Sequence, residues 1–159
     1  MSAPLLKKLQ KYIGPGGLKK LMNIWFPFRG SGIRIEKISR DYQEVNVSLA
    51  YEWYNKNYVG TQFGGSLYAM VDPFYMLMLI HILGKNYIIW DRSAEIHFLR
   101  PGRSKVFAHF KISKENIALI KEKTKMGEKY FWNADVDVFD IHGEVIATVT
   151  KVIYIKAMK

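Results

Sequence analysis

Cysteine is absent from the 159-residue sequence. Its absence excludes disulfide bonds, thiolate metal sites and a cysteine nucleophile, but it does not identify a compartment, and we take the reducing cytoplasm as the default. Histidine is scarce, with four residues and no H-x-x-x-H spacing. We therefore expect no metal site, and we interpret His81 and His97 as structural residues.

Internal repeats and low-complexity linkers are also absent, and the length fits one domain with a sizeable core. The first residues lack the long apolar core of a signal peptide, because Lys7, Lys8 and Lys11 interrupt it. The chain is therefore expected to form one domain without a targeting segment.

Acidic residues are few, with 14 Asp and Glu against 24 Lys and Arg, so that the formal charge is +10. Such a surface attracts nucleic acid, acidic lipid or a phosphorylated cofactor, or it serves solubility alone. The lysines are scattered, with short doublets at Lys7-Lys8 and Lys19-Lys20. We expect no nucleic-acid partner, because the basic residues form no run interleaved with aromatics.

The N-terminal residues predict two short amphipathic helices. The first covers residues 4–13 and is expected to end at residues 14–17, and the second has an apolar face over residues 18–25 closed by Pro27. A basic amphipathic helix can lie on a membrane surface or pack on its own domain, and we favour packing. Residues 1–28 are thus predicted to be a helical extension, and residues 29–159 the main domain.

Most of the remaining chain alternates between apolar and polar residues, which is typical of strands. The predicted strands cover residues 33–38, 45–49, 87–98 and 106–112, and a C-terminal hairpin joins residues 130–139 to 145–154. A short helix is expected over residues 115–125. One antiparallel sheet packed on one long helix is an α+β domain.

The long helix is predicted from the stretch Asn57–Leu83, which contains the longest apolar run of the chain. The run is long enough to cross a membrane, but Asp72, Pro73 and the glycines at its start argue against a span. We therefore predict the buried central helix of a globular domain, which Pro73 can kink.

Two features of this helix could form a catalytic site. Gly64 and Gly65 would open its first turn, whose unpaired N–H groups can stabilise negative charge on a carbonyl oxygen. Asp72 lies eight residues after Gly64, about 12 Å along a helix. Both groups could then act on one atom only if Asp72 came from a second subunit. Alternatively, the glycines serve packing, and Asp72 is a satisfied buried carboxylate bonded to Tyr68 or Tyr75.

The pattern Asn57-x-x-Gly60-Thr61-x-Phe63-Gly64-Gly65, followed by Asp72, resembles the signature of hot-dog-fold acyl-CoA thioesterases of the phenylacetic-acid-degradation type. The sequence is similar to a branch of that superfamily containing a domain of unknown function, which also has an amphipathic N-terminal extension. Residues 94–102 resemble the third strand of the family, and the element order agrees from about Gly30 to Lys156.

The resemblance implies a hot-dog fold and a homodimer or homotetramer that binds acyl-CoA between its subunits, with no cofactor apart from the CoA of the substrate. Gly64 N–H would polarise the thioester carbonyl, Asp72 would act as nucleophile or general base, and Asn57 would orient water or substrate. Phe63, Gly65 and Thr61 would line the substrate site. Many members have histidine where this chain has Phe63.

Four further residues carry weaker indications. Asp91 or Ser93 falls near a serine or threonine that assists catalysis in some members of the resembled family. Arg100 and Arg103 flank a turn and could hold the phosphates of CoA, or they are solvated turn residues. The sequence thus predicts an acyl-CoA thioesterase, with a non-catalytic acyl-CoA or lipid-binding protein of the same fold as the alternative.

Overall fold

The computed structural model describes residues 13–158, and these residues form five helices and one six-stranded sheet. The helices are α1 (Pro15–Ile24), α2 (Phe26–Ser31), α3 (Gly64–Ala69), α4 (Phe74–Leu83) and α5 (Lys114–Lys123). The strands are β1 (Ile33–Ile38), β2 (Glu44–Leu49), β3 (Tyr87–Phe98), β4 (Val106–Lys111), β5 (Lys129–Asp140) and β6 (Val145–Ala157).

The sheet is antiparallel in the order β1-β2-β4-β5-β6-β3, which confirms the predicted α+β class. Strand β3 therefore lies at one edge, paired along its length with β6 alone in the described part of the chain. Its pairing changes register between Asp91 and Ser93, where a bulge interrupts the ladder. The strand predicted over residues 87–98 is thus one strand with a bulge.

The central helix consists of α3 and α4, separated at residues 70–73. Pro73 cannot donate a backbone hydrogen bond, and the amides of Val71 and Asp72 both donate to the carbonyl oxygen of Tyr68, at 3.0 and 3.1 Å. The predicted kink is therefore confirmed as a break, and Asp72 lies within it.

By length and composition Gly64–Leu83 could cross a membrane, yet it packs against the sheet as the core of the domain. Its side chains Met70, Phe74 and Met78 are at most 2% exposed. These three side chains belong to the hydrophobic core of the domain. Only 44% of the apolar window is buried, so part of the central helix remains uncovered.

The N-terminal helices differ from the prediction in their boundaries. Residues 14–17, expected to end a helix, instead begin α1, because proline is compatible with the first helical turn. Pro27 likewise lies in the first turn of α2 rather than closing the preceding helix, which ends at Ile24. The helix predicted over residues 4–13 lies, apart from Ile13, outside the described residues.

Helix α1 packs on β1 through polar and apolar contacts. The Asn23 side chain accepts a hydrogen bond from the Ile35 amide at 2.7 Å and donates to the Ile35 carbonyl at 3.1 Å. Lys19 Nζ donates to the carbonyl of Glu36 at 2.6 Å, and Leu18 is buried. Residues of the predicted extension are therefore part of the main core.

Candidate active site

Asp72 is held at the break of the central helix by a lysine from the sheet. Its Oδ1 lies 2.9 Å from Nζ of Lys151, while 46% of the Asp72 side chain remains exposed. The same ammonium lies 3.0 Å from Oδ1 of Asp91, whose side chain is 24% exposed. Asp72, Lys151 and Asp91 form an ion cluster, which we call the Lys151 triad.

Lys151 is buried because of its register in β6. Every second residue of this strand faces the core, and Lys151 occupies one of these inward positions with 1% of its side chain exposed. It pairs with Ala94 of β3 and Ala134 of β5, whose small side chains leave room for the long aliphatic stem. The alanines therefore allow the ammonium to reach the break between α3 and α4.

The charges of the Lys151 triad change one another's pKa values. Burial alone would lower the pKa of Lys151, but the hydrogen bond to Asp72 and the ion pair with Asp91 outweigh it and raise that pKa. Burial raises the pKa of Asp91, against the opposing effect of Lys151. Lys151 therefore remains an ammonium at neutral pH and cannot act as a base.

Tyr68 completes the surroundings of Asp72, whereas Tyr75 does not. Lys151 Nζ lies 5.6 Å from the centroid of the Tyr68 ring, and burial, together with Asp72, raises the pKa of the Tyr68 hydroxyl. Tyr75 donates a hydrogen bond to the carbonyl of Asp135 at 2.7 Å instead. Of the two tyrosines considered from sequence, only Tyr68 therefore lies beside the carboxylate.

The glycine pair begins α3 as predicted. Phe63 caps the helix in an extended conformation, so that the amides of Gly64 and Gly65 have no acceptor within the helix. A Cβ on Gly64 would lie 3.0 Å from the Phe98 ring, and one on Gly65 would lie 2.5 Å from the Phe63 ring. Phe63 and Phe98 are each more than half exposed. The start of the helix is therefore narrow and apolar.

Asn57 and Thr61 stabilise the loop that leads to this helix. The Asn57 amide nitrogen donates to Thr61 Oγ1 at 2.7 Å, and its Oδ1 accepts from the Thr61 amide at 2.9 Å. Thr61 is 8% exposed. Both side chains thus bond within their own loop.

Gln62 is a buried residue that the sequence reasoning missed. Its Nε2 donates to the carbonyls of Ala50 and Ser104, both at 3.0 Å, and its amide donates to the carbonyl of Gly102 at 2.8 Å. Its Oε1 is buried without a hydrogen-bond partner. Gln62 therefore ties the loop before the glycines to the ends of two strands.

The other predicted residues lie at the far end of β3. Arg100 forms an ion pair with Glu144 of the β5–β6 turn, and Arg103 is exposed. The amide of Arg100 donates to the carbonyl of Ile146, five residues before Lys151 on β6 and thus about 17 Å along the strand. These arginines and the Lys151 triad of one subunit are therefore well separated.

The two histidines considered from sequence have structural surroundings. His81 stacks on Tyr42 with ring centroids 4.2 Å apart, and burial lowers its pKa. His97 lies 3.2 Å from Glu95 on the surface of β3. Neither of these contacts involves Asp72.

The strand register of the sheet also gives the distance between the glycines and Asp72. Gly64 adjoins Phe98, which pairs with Ala147 of β6, whereas Asp72 is bonded to Lys151 four residues further on. Four residues of strand correspond to about 13 Å, in agreement with the helical estimate. A half-exposed carboxylate held through one oxygen can activate water or attack a carbonyl, but at a point distant from its own Gly64.

Comparison with known proteins gives the family and the fold. Residues 17–155 match the model of a domain of unknown function, DUF4442. The fold is similar to that of a Pseudomonas aeruginosa protein of unknown function described as a probable thioesterase (17% identity, TM-score 0.78, covering 90% of this chain and 96% of that one).

It is also similar to a Haemophilus influenzae thioesterase (14% identity, TM-score 0.64, 90% of each chain). A third protein of similar fold is a Chlorobaculum tepidum protein of unknown function (13% identity, TM-score 0.71, covering 92% of this chain and 98% of that one). No curated protein matches the sequence. At these identities the solved structures establish the fold, and the chain, which has the hot-dog fold, belongs to the DUF4442 family.

Proposed function

We propose that this protein hydrolyses acyl-CoA thioesters to the free acid and CoA at a site shared by two subunits. The observation that carries the proposal is the Asp72 carboxylate, which is half exposed at the break of the central helix and held by a buried lysine. Carboxylates with a fixed orientation and access to solvent are suited to nucleophilic or general-base catalysis. The similarity in fold to a Haemophilus influenzae thioesterase supports the same reaction class.

A second subunit follows from the spacing within one chain. We call the start of α3 at Gly64 and Gly65 the glycine mouth. About 13 Å of strand separates the glycine mouth from Asp72, so that both cannot contact the same thioester carbon. Strand β3 carries Asp91, and its outer edge along 12 residues pairs with no other strand in the described residues 13–158. Two copies paired along β3 would bring Gly64 of one subunit towards Asp72 of the other.

In the proposed reaction the Gly64 amide polarises the thioester carbonyl, and the Gly65 amide lies beside it. Asp72 removes a proton from the attacking water, or it attacks the carbonyl carbon itself to form an anhydride that water then cleaves. In both routes the C–S bond breaks and CoA leaves as the thiolate, which becomes the thiol by taking up the proton that the attacking water gives up. Asn57 and Thr61 maintain the loop that positions Phe63 at the mouth.

The apolar mouth and the basic surface suit the two parts of an acyl-CoA. Phe63 and Phe98, both largely exposed, would contact the acyl group. Arg100 and Arg103 would bind CoA phosphates, with Arg103 exposed and Arg100 exchanging Glu144 for the phosphate. The formal charge of +10 favours an anionic substrate.

The proposal is tested by measuring thiol release over a panel of acyl-CoAs for the wild type and for Asp72→Asn. The wild type should turn over at least one acyl-CoA, and Asp72→Asn should lose turnover while keeping acyl-CoA binding. Asp137→Asn is the matched control, because Asp137 is an exposed carboxylate of β5 that accepts a hydrogen bond from Thr148. Full turnover in Asp72→Asn would contradict the assignment.

A non-catalytic acyl-CoA or lipid-binding protein is the second candidate. It is favoured by Phe63, an apolar residue at the mouth where many thioesterases of this type have histidine, and by the ion pair that already engages Asp72. Saturable acyl-CoA binding without thiol release from the wild type would identify a binder.

A further inference from the structure

Lys151 reaches Asp72 from a different element, and its location is unusual for a lysine. Its side chain is 1% exposed, within a strand whose other inward positions are apolar. An ammonium at such a position is costly unless it is paired and hydrogen-bonded. The Lys151 triad supplies two carboxylates for this one charge, at 2.9 and 3.0 Å.

The two carboxylates differ in the element that carries them and in their exposure. Asp91 lies on β3, at the register shift of the bulge, and 24% of its side chain is exposed. Asp72 belongs to the break of the central helix, and 46% of its side chain is exposed. The more accessible carboxylate is therefore the one that the proposed reaction uses.

We infer that Lys151 and Asp91 are positioning residues for Asp72, an inference that rests on the proposed function. Asp91 holds the Lys151 ammonium from the β3 side, and the ammonium in turn holds Oδ1 of Asp72. The other oxygen of Asp72 is then left for water, for the substrate or for the nearby Tyr68 hydroxyl. The orientation of the reacting carboxylate is thus determined by the sheet, across a helix break that could not determine it alone.

The sharing of one ammonium between two carboxylates also adjusts the reactivity of Asp72. A lysine paired with Asp72 alone would stabilise its anion fully and weaken it as a base or nucleophile. Asp91 offsets part of this effect, since with both carboxylates ionised the triad carries one net negative charge. The charged and titratable groups that face Lys151 are Asp72, Asp91 and, through its ring and hydroxyl, Tyr68; the adjacent strand positions are Ala94 and Ala134.

The test compares Lys151→Met and Asp91→Asn with the wild type in steady-state thiol release across pH. Each substitution removes one charge and nearly preserves the shape of the side chain. Lys151→Met should lower kcat about 10- to 100-fold, the scale expected for a misplaced reacting group, while KM changes little. Lys156→Met is the matched control, because Lys156 lies on the outward side of the same strand.

The pH profile distinguishes positioning from a merely structural role. Lys151→Met removes a positive charge that lies 2.9 Å from Asp72, so the acidic limb of kcat/KM should move to higher pH in this variant. Without the second carboxylate, the acidic limb should move to lower pH in Asp91→Asn. A residue that only stabilised the fold would not produce shifts in opposite directions.

Two outcomes overturn the inference in distinguishable ways. If Lys151→Met keeps the wild-type kcat and pH profile while Asp72→Asn is inactive, the proposed function stands and the positioning role falls. If the wild type turns over no acyl-CoA, the proposed function fails, and the catalytic role of the triad falls with it. Nitrogen-15 NMR of the lysine ammonium groups then shows whether the ion cluster exists as a structural feature, since its Lys151 signal should change in Asp91→Asn.

The folding of each variant is checked by circular dichroism before the kinetics. If Lys151→Met does not fold, Asp91→Asn carries the test by itself, because its side chain is partly exposed and its shape is retained. An acidic limb that stays at the wild-type pH in folded, active Asp91→Asn would refute the inference.

Discussion

Lys151 illustrates how one buried charge can connect the sheet to the central helix. The ammonium has left water almost completely, and its two carboxylate partners have not. Removing one member of such a cluster leaves the others without compensation, so it costs more than the intact cluster contributes. Since Asp72 and Asp91 are partly solvated, the cost is smaller than for a fully buried pair.

We expect Lys151→Met to lower the free energy of unfolding by about 2 kcal/mol, because two neighbouring carboxylates lose their common counter-ion. Urea denaturation at neutral pH measures this change. The double variant Lys151→Met with Asp91→Asn should recover part of the loss, because it removes the repulsion between the carboxylates. A double variant less stable than Lys151→Met would contradict this account of the triad.

Tyr75 gives a prediction about alkaline pH. It donates to the carbonyl of Asp135, and burial together with nearby carboxylates raises its pKa from 10.0 to about 12. The folded state therefore retains this proton where the unfolded state loses it, and the free energy of unfolding should fall as pH rises from 10 towards 12.

Tyr75→Phe should remove its share of that alkaline loss and cost about 1 kcal/mol at neutral pH for the lost hydrogen bond. The raised pKa of Lys151 has the same sign, since its stabilisation is lost as pH rises above the ordinary value of 10.5. Denaturation curves of Tyr75→Phe and Lys151→Met between pH 7 and 12 separate the contributions of the two residues to the alkaline loss of stability. An unchanged alkaline slope in Tyr75→Phe would contradict the assignment to Tyr75.

At the residue scale, the sequence indicates some members of the candidate site and conceals others. Asp72 stands out as the lone charge of an apolar run, and Tyr68 lies one helical turn before it. Lys151 was detectable too, because it interrupts the inward series of β6 with a charge. Asp91 could not be distinguished from Ser93 in the sequence, because the bulge at residues 91–93 changes the register on which such an assignment depends.

Among the elements, β3 has the strongest indication of a partner. It is an edge strand of 12 residues, with Trp90 64% exposed and Phe98 57% exposed. Long edge strands with exposed apolar side chains are templates for pairing with another chain. We propose β3 as the contact of the homodimer or homotetramer that the sequence resemblance implies.

We expect Trp90→Lys to shift the protein towards the monomer, because the lysine places a charge in the proposed contact. Light scattering coupled to gel filtration measures the mass. Met126→Lys is the control, since Met126 is 72% exposed in the turn after α5. A wild type that is already monomeric would contradict the proposed contact.

The strands are the elements that sequence predicts best, because alternation between apolar and polar residues follows directly from a sheet with one buried face. The helix boundaries near the N terminus are wrong for an identifiable reason. Residues 14–17 contain proline and glycine, which commonly end helices, but proline also suits the first turn, where its missing N–H is not needed. Composition alone cannot distinguish these two uses.

At the scale of the whole molecule, the central helix and the surrounding sheet place the glycine mouth and the carboxylate at different points along one face. The helical rise gives about 12 Å for eight residues, and the strand register gives about 13 Å for four residues of β6. The sequence could predict this separation because it depends only on regular geometry. It could not predict the Lys151 triad, which depends on how the last strand registers with the helix break.

The most direct test of a shared site is complementation between two inactive variants. Asp72→Asn removes the carboxylate, and Gly64→Val places a branched side chain next to Phe98 at the mouth. In a dimer formed from one chain of each, one site would combine an intact Gly64 with an intact Asp72. After unfolding and refolding an equal mixture, thiol release from acyl-CoA should return to about a quarter of the wild-type rate, since half the dimers are mixed and each has one intact site. A mixture no more active than the average of its two variants would contradict a site shared between subunits.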